Sequence, residues 1–90
     1  MRKTIWKFPL PSNPSSQINL PGRMATPLYV NFDSEGVLCL WAEVDSNDVC
    51  KRRVLIEVVS TGQGPLANTS TYMNTVIRNG LVFHMYYALS

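Results

Sequence analysis

Histidine, cysteine, paired carboxylates and arginine do most protein chemistry, and this ninety-residue chain holds few of them. Its single histidine, His84, lies between Phe83 and Met85. Histidine catalysis requires a positioned nucleophile or carboxylate. No sequence neighbour supplies one, so His84 reads as a hydrogen-bonded residue on a sheet face, with a ligand contact as the alternative. Cys39 and Cys50 lack the spacing of a zinc site, and neither a metal nor a cofactor is expected. Cys39 reads as buried. Cys50 precedes Lys51, Arg52 and Arg53, whose charge favours a thiolate if the residue is exposed, so a reactive thiol and a plain loop cysteine both stand. Glu43, Asp45 and Glu57 can work as paired carboxylates only if their strands adjoin; otherwise they are solvated strand charges. No nucleophile–base pair or metal set emerges, and the chain is expected not to be an enzyme.

Binding chemistry has more candidates. Lys51-Arg52-Arg53 is the only basic run. It is either a solvated strand start or a phosphate- or carboxylate-recognising group, which Arg78 and Arg23 could join. Ser60-Thr61-Gly62-Gln63-Gly64 offers hydroxyls and free amides, which form a turn or a nest for an anion. It lacks the G-x-x-x-x-G-K-[ST] pattern of a phosphate loop. Trp6, Trp41, Tyr29, Tyr72, Tyr86 and Tyr87 read as core and interface rings, any exposed one being able to stack on a base. The candidate ligand-binding set is therefore Arg52, Arg53, Arg78, Thr61, Gly62 and Trp41.

The elements that must position these residues read as strands throughout. Thr4, Trp6, Phe8 and Leu10 alternate with Lys3, Ile5 and Lys7, the period of a half-buried strand. Pro9 and Pro11 cannot donate ladder hydrogen bonds, so that strand ends there or lies at a sheet edge. Ser16 to Leu20 gives a short second strand, and Pro27 to Asp33 a third. Asp33-Ser34-Glu35-Gly36 fits a tight turn into Gly36–Asp45, the densest apolar run. Val37, Cys39 and Trp41 make that run apolar on both faces, which requires cover on both faces, by another sheet or by another copy of the chain. Val54 to Val59 is β-branched and extended. One helical turn is conceivable over Leu66 to Thr71. Residues 72–78 and 81–88 flank Asn79-Gly80, the strongest short hairpin signal. The result is an all-β domain spanning 1–90, a small antiparallel sandwich or partly open barrel of about seven strands.

Composition narrows the setting. Hydrophobic residues make up 46% and charged ones 16%, an imbalance that leaves apolar surface for a subunit or partner interface. A homo-oligomer is expected. A net charge of +2 is too small for a duplex nucleic-acid face. Pro9, Pro11 and Pro14 break any signal-peptide core, and no apolar run is long enough for a membrane span. A cytoplasmic protein is expected.

Thr4-Ile5-Trp6-Lys7-Phe8-Pro9-Leu10, Ile18-Asn19-Leu20-Pro21, Leu40-Trp41-Ala42-Glu43-Val44-Asp45, Ser60-Thr61-Gly62, Tyr72-Met73-Asn74-Thr75 and Leu81-Val82-Phe83-His84-Met85-Tyr86 occur in this order. The series resembles a family of small phage and prophage proteins with no assigned activity. Ser60 stands where that family has glycine, and Gln63 to Thr71 is particular to this chain. The resemblance implies a phage-encoded protein acting in the cytoplasm of the infected bacterium. Two roles follow as expectations. One is a counter-defence protein that sequesters an anionic nucleotide signal between subunits. The other is an inhibitor that masks a host defence protein such as a CRISPR effector.

Overall fold

The computed structural model describes residues 3–11, 15–62 and 70–89. Seven strands run in the order β1 (Thr4–Pro9), β2 (Ser15–Pro21), β3 (Thr26–Phe32), β4 (Leu38–Val44), β5 (Lys51–Ser60), β6 (Thr71–Arg78) and β7 (Leu81–Leu89). They form two antiparallel sheets, β1-β4-β3 and β2-β5-β7-β6. The sheets pack face to face as a sandwich, not as a closed barrel. The reading of a helical turn over 66–71 falls mostly outside the described residues; Thr71 already belongs to β6.

Alternation along each strand divides the molecule into one core and two outer faces. Val30 from β3, Leu40, Ala42 and Val44 from β4, Val54 and Ile56 from β5, and Met85 from β7 fill the space between the sheets. The turns follow local chemistry. Gly36 donates its N–H to the Asp33 carbonyl at 3.0 Å and has φ +81°. Asn79 and Gly80 both have positive φ, as a type I′ hairpin requires.

Two bulges displace the simple alternation. One lies between Pro27 and Tyr29 and leaves Leu28 outside the β3–β4 register. The other lies between Tyr72 and Asn74. Strict alternation puts Tyr72 with Asn74 and Val76. The bulge at Met73 instead sends Tyr72 to the outer face with Thr75, opposite Tyr86 and His84, because an extra residue inverts the side on which the preceding residues fall.

Asn74 thereby points inward and ties the two sheets together. Its Nδ2 donates to the Val30 carbonyl at 2.7 Å, and the Val30 N–H donates to its Oδ1 at 3.1 Å. Val30 lies on the margin of β3 away from β4, so one carboxamide satisfies both backbone groups as a neighbouring strand would. The next outward N–H, that of Phe32, donates to the Asn31 Oδ1 at 2.8 Å. Replacing Asn74 with alanine leaves the Val30 pair unmet in a partly buried site. Asn74→Ala is expected to cost on the order of 1–3 kcal/mol, lowering Tm by roughly 4–8 °C per kcal/mol lost. An unchanged thermal midpoint would remove Asn74 from this role.

Candidate functional site

The six residues singled out from the sequence do not converge. Arg52 and Arg53 are adjacent on β5 and point to opposite faces. Arg52 is half-buried and donates from Nη1 to the Ala25 carbonyl at 3.0 Å, bracing the turn between β2 and β3. Arg53 stands exposed on the outer face of the four-stranded sheet, opposite Asn19. Arg78 lies at the far end of that sheet. It pairs with Leu81, whereas β5 meets Leu89 at Val54. Eight residues of β7 separate those levels, about 27 Å at 3.4 Å per residue. Arg78 sets its guanidinium 4.3 Å from the Phe32 ring centroid and donates to the Gly36 carbonyl at 3.2 Å. It is a cation–π cover for the core margin. A Cβ at Gly36 would fall 2.8 Å from its Nη2, which a shift of the flexible guanidinium can relieve; it is the positive φ that calls for glycine there.

Thr61 and Gly62 lie just beyond β5. Gly62 has φ +94° with open space around it, and Gln63 and Gly64 are outside the described residues. Thr61 belongs to a hydrogen-bonded row on the outer face of the four-stranded sheet. Its Oγ1 lies 2.9 Å from the His84 Nε2, and the Thr75 Oγ1 lies 3.1 Å from the His84 Nδ1. The Thr75 hydroxyl also contacts the Tyr72 hydroxyl. Hydroxyls donate or accept as needed, so the two threonines satisfy either tautomer of the imidazole. Neither ring nitrogen is left for a metal or a substrate. Tyr72 meets Tyr86 edge to face at 5.7 Å between centroids. Glu57 is buried on the same face and accepts from the Ser70 hydroxyl at 2.7 Å.

Glu57 sits on a different sheet from Glu43, so the three carboxylates do not converge; Glu43 and Asp45 lie together at the end of β4. Among the described residues no group of three histidine, cysteine or acidic side chains could hold a metal. A shallow depression with a cavity volume of about 10 Å³, room for roughly one water, lies at the end of β4, lined by Lys3, Met24, Ala25, Glu43, Val44, Asp45 and Asp48. That is smaller than a usual ligand pocket. Its Asp48 is already engaged, accepting from the Arg23 N–H at 3.0 Å, the Arg23 Nε at 3.2 Å and the Cys50 N–H at 2.9 Å.

Trp41 occupies the middle of the outer face of the three-stranded sheet. In register it lies between Lys7 of β1 and Tyr29 of β3. The Tyr29 ring is 6.2 Å away and tilted. Ile5, at 59% exposure, Trp41 and Tyr29 form an apolar patch on this face. The second cover expected for β4 is therefore no further layer of this chain among the described residues. Neighbouring side chains close only one point: Cys39 is fully buried beside Asp33, with Sγ–Oδ2 3.7 Å, and donates to the Val37 carbonyl at 3.4 Å. Burial, and then the Asp33 charge, pushes the Cys39 thiol up, so it is held protonated. Cys50 is free and exposed. Lys7 pairs with Asp33 at 3.3 Å and Lys3 with Glu43 at 3.6 Å, flanking the patch.

This is a β-sandwich presenting one open aromatic sheet face and one hydroxyl-rich face. The chain belongs to the family described as a domain of unknown function, DUF7352, which it matches over residues 1–90. No curated protein and no solved structure matches it. Among the described residues no helix is long and apolar enough to cross a membrane.

Two aspartates are expected to make the fold acid-sensitive. The Arg23 N–H, then the Cys50 N–H and the Arg23 guanidinium, hold Asp48 well below the usual carboxylate range. The Val37 N–H, then the Glu35 N–H and Lys7, hold Asp33 down against an opposing desolvation. A depressed folded-state pKa contributes stability above the unfolded value, near 3.9, and loses it as pH falls towards the folded value. Tm is therefore expected to fall as pH drops below about 5, and Asp48→Asn should flatten that slope. An equal slope in the variant would contradict the assignment.

Proposed function

We propose that the protein acts by binding without catalysis, as a phage-type counter-defence factor in the bacterial cytoplasm, and that its ligand is a host defence protein. The observation that carries this reading is the patch formed by Trp41, Tyr29 and Ile5 on an uncovered sheet face. Tryptophan and tyrosine dominate the energetic centres of protein interfaces. A flat face with a charged rim suits a protein surface better than a small molecule, which favours a concave pocket.

Charge separates the partner classes. A single-stranded nucleic acid stacks on sheet aromatics but also needs free cations along its backbone. Here Lys7 and Lys3 are both ion-paired beside the patch. Sequestration of an anionic nucleotide was the other role expected. It relies on Arg52, Arg53 and Arg78, of which Arg52 and Arg78 already hold backbone carbonyls of this chain, so a nucleotide site would have to be assembled between copies.

The test is affinity capture from host lysate by the intact protein and by two variants. Wild type and Arg53→Ala are expected to retain the same stoichiometric protein. Trp41→Ala should weaken capture by about 30-fold or more, the scale of a hot-spot residue, while keeping its circular dichroism. Titration calorimetry against cyclic di- and trinucleotides should give no heat. Saturable nucleotide binding, retention of nucleic acid, or capture indifferent to Trp41 would overturn the reading.

A further inference from the structure

The margins of the two sheets are finished differently. On β3, side-chain amides occupy the outward backbone groups of Val30 and the outward N–H of Phe32. On β1 the Leu10 N–H donates to the Leu38 carbonyl at 2.8 Å, extending the register in which Phe8 faces Leu40 and Trp6 faces Ala42. Bonded pairs recur at every second residue of an antiparallel ladder. Thr4, Trp6 and Phe8 therefore spend their backbone groups on β4, and Lys3, Ile5, Lys7 and Pro9 turn theirs outward. Pro9 has no N–H to lose there. Among the described residues, no side chain fills this margin. Ile5 is 59% and Trp6 41% exposed beside it.

We infer that this margin is taken by a second copy of the chain, the two β1 strands pairing antiparallel about a two-fold axis at Trp6. The register follows from charge. Outward groups must meet outward groups, so odd-numbered residues face odd-numbered residues. Setting Ile5 against Ile5 puts Lys3 against Lys7; setting Lys7 against Lys7 pairs like charges directly. Both destabilise a cross-strand ladder. The remaining central register sets Ile5 against Lys7 on either side of the axis, Thr4 against Phe8, and Lys3 against Pro9 at the ends. Trp6 then meets Trp6 in a non-hydrogen-bonded pair, where side chains approach most closely. Trp6 already contacts Phe8 within its own strand, with centroids 6.3 Å apart, so four rings line up across the axis.

A two-fold pairing uses the same patch on both copies, which the register satisfies. The β2 margin is a poorer choice. Its outward residues, Ser15, Gln17 and Asn19, are polar, and its inward Ser16 and Leu20 are already buried. Pairing at β1 makes one continuous sheet of the two three-stranded ones, with both Trp41 faces on the same side. The inference goes beyond the protein-binding reading and stands without it.

A cysteine scan tests it in a Cys50→Ser background, since Cys50 is exposed and Cys39 is buried. Under mild oxidation Trp6→Cys should yield a covalent dimer, because a disulfide needs Cα atoms within about 7 Å. Ile5→Cys and Lys7→Cys should each stay monomeric on denaturing gels, and the double variant should cross-link. Ile5 and Lys7 are exposed, so the double variant reports even if Trp6→Cys does not fold. Trp41→Ala should remain dimeric, which separates this result from partner capture. Cross-linking at 5 or 7 alone, at no position, or a wild-type protein that sediments as a monomer at all micromolar concentrations would overturn the inference.

Discussion

A strand at the margin of a sheet leaves every second backbone N–H and C=O without a neighbour, and a sandwich of two open sheets must dispose of four such margins. The molecule is arranged around that constraint. At β3 it is met by borrowed chemistry: Asn74 crosses from β6 and gives Val30 both of the bonds a missing strand would have supplied. Arg78, two turns of the zigzag further along β6, covers Phe32 and caps the Asp33–Gly36 turn. That side is thereby sealed without a barrel closing. On the opposite side β1 and β2 carry prolines at Pro9 and Pro21, which blunt a margin without filling it.

The same accounting is what supports the proposed binding role. Several of the chain's titratable and hydroxyl side chains are committed to one another or to the backbone. His84 has a threonine at each ring nitrogen, Asp48 takes three donors from two residues, and Cys39 is held protonated under Asp33. Beside the exposed Arg53 and Cys50, much of what stays exposed is apolar, including Ile5, Trp6, Tyr29 and part of Trp41. A thin core cannot absorb every large side chain of a ninety-residue chain, and the remainder is divided between the three-stranded sheet, at Ile5, Trp6, Leu28 and Tyr29, and the four-stranded one, at Tyr72, Ile77, Leu81 and Leu89.

The strands were legible in the sequence because period-two alternation and turn residues are local signals. Pro9 left β1 either ending there or lying at an edge, while the β3–β4 hairpin followed from Asp33-Ser34-Glu35-Gly36 and the last hairpin from Asn79-Gly80. The site was less legible, for a physical reason. A bulge is one residue long and leaves no compositional mark, yet the one at Met73 reverses the side on which Tyr72 falls and leaves Asn74 aimed at Val30. The row from Thr61 through His84 and Thr75 to Tyr72 depends on that reversal. The placement of the arginines was hidden for a related reason: neighbours in sequence on a strand are opposites in space, so Arg52 and Arg53 face different sides of β5. The aromatic patch was half visible, since Trp41 was marked as a ligand residue while Tyr29 and Ile5, which complete it, lie on other strands.

Residue-resolved amide hydrogen exchange across a dilution series tests this account of the margins most directly. The Val30 and Phe32 amides should be protected at every concentration, being held by side chains of their own copy. The Ile5 and Lys7 amides should exchange freely in dilute protein and slow as concentration rises. Slow exchange of Ile5 and Lys7 at the highest dilution, or fast exchange of Val30 alongside an intact fold, would contradict it.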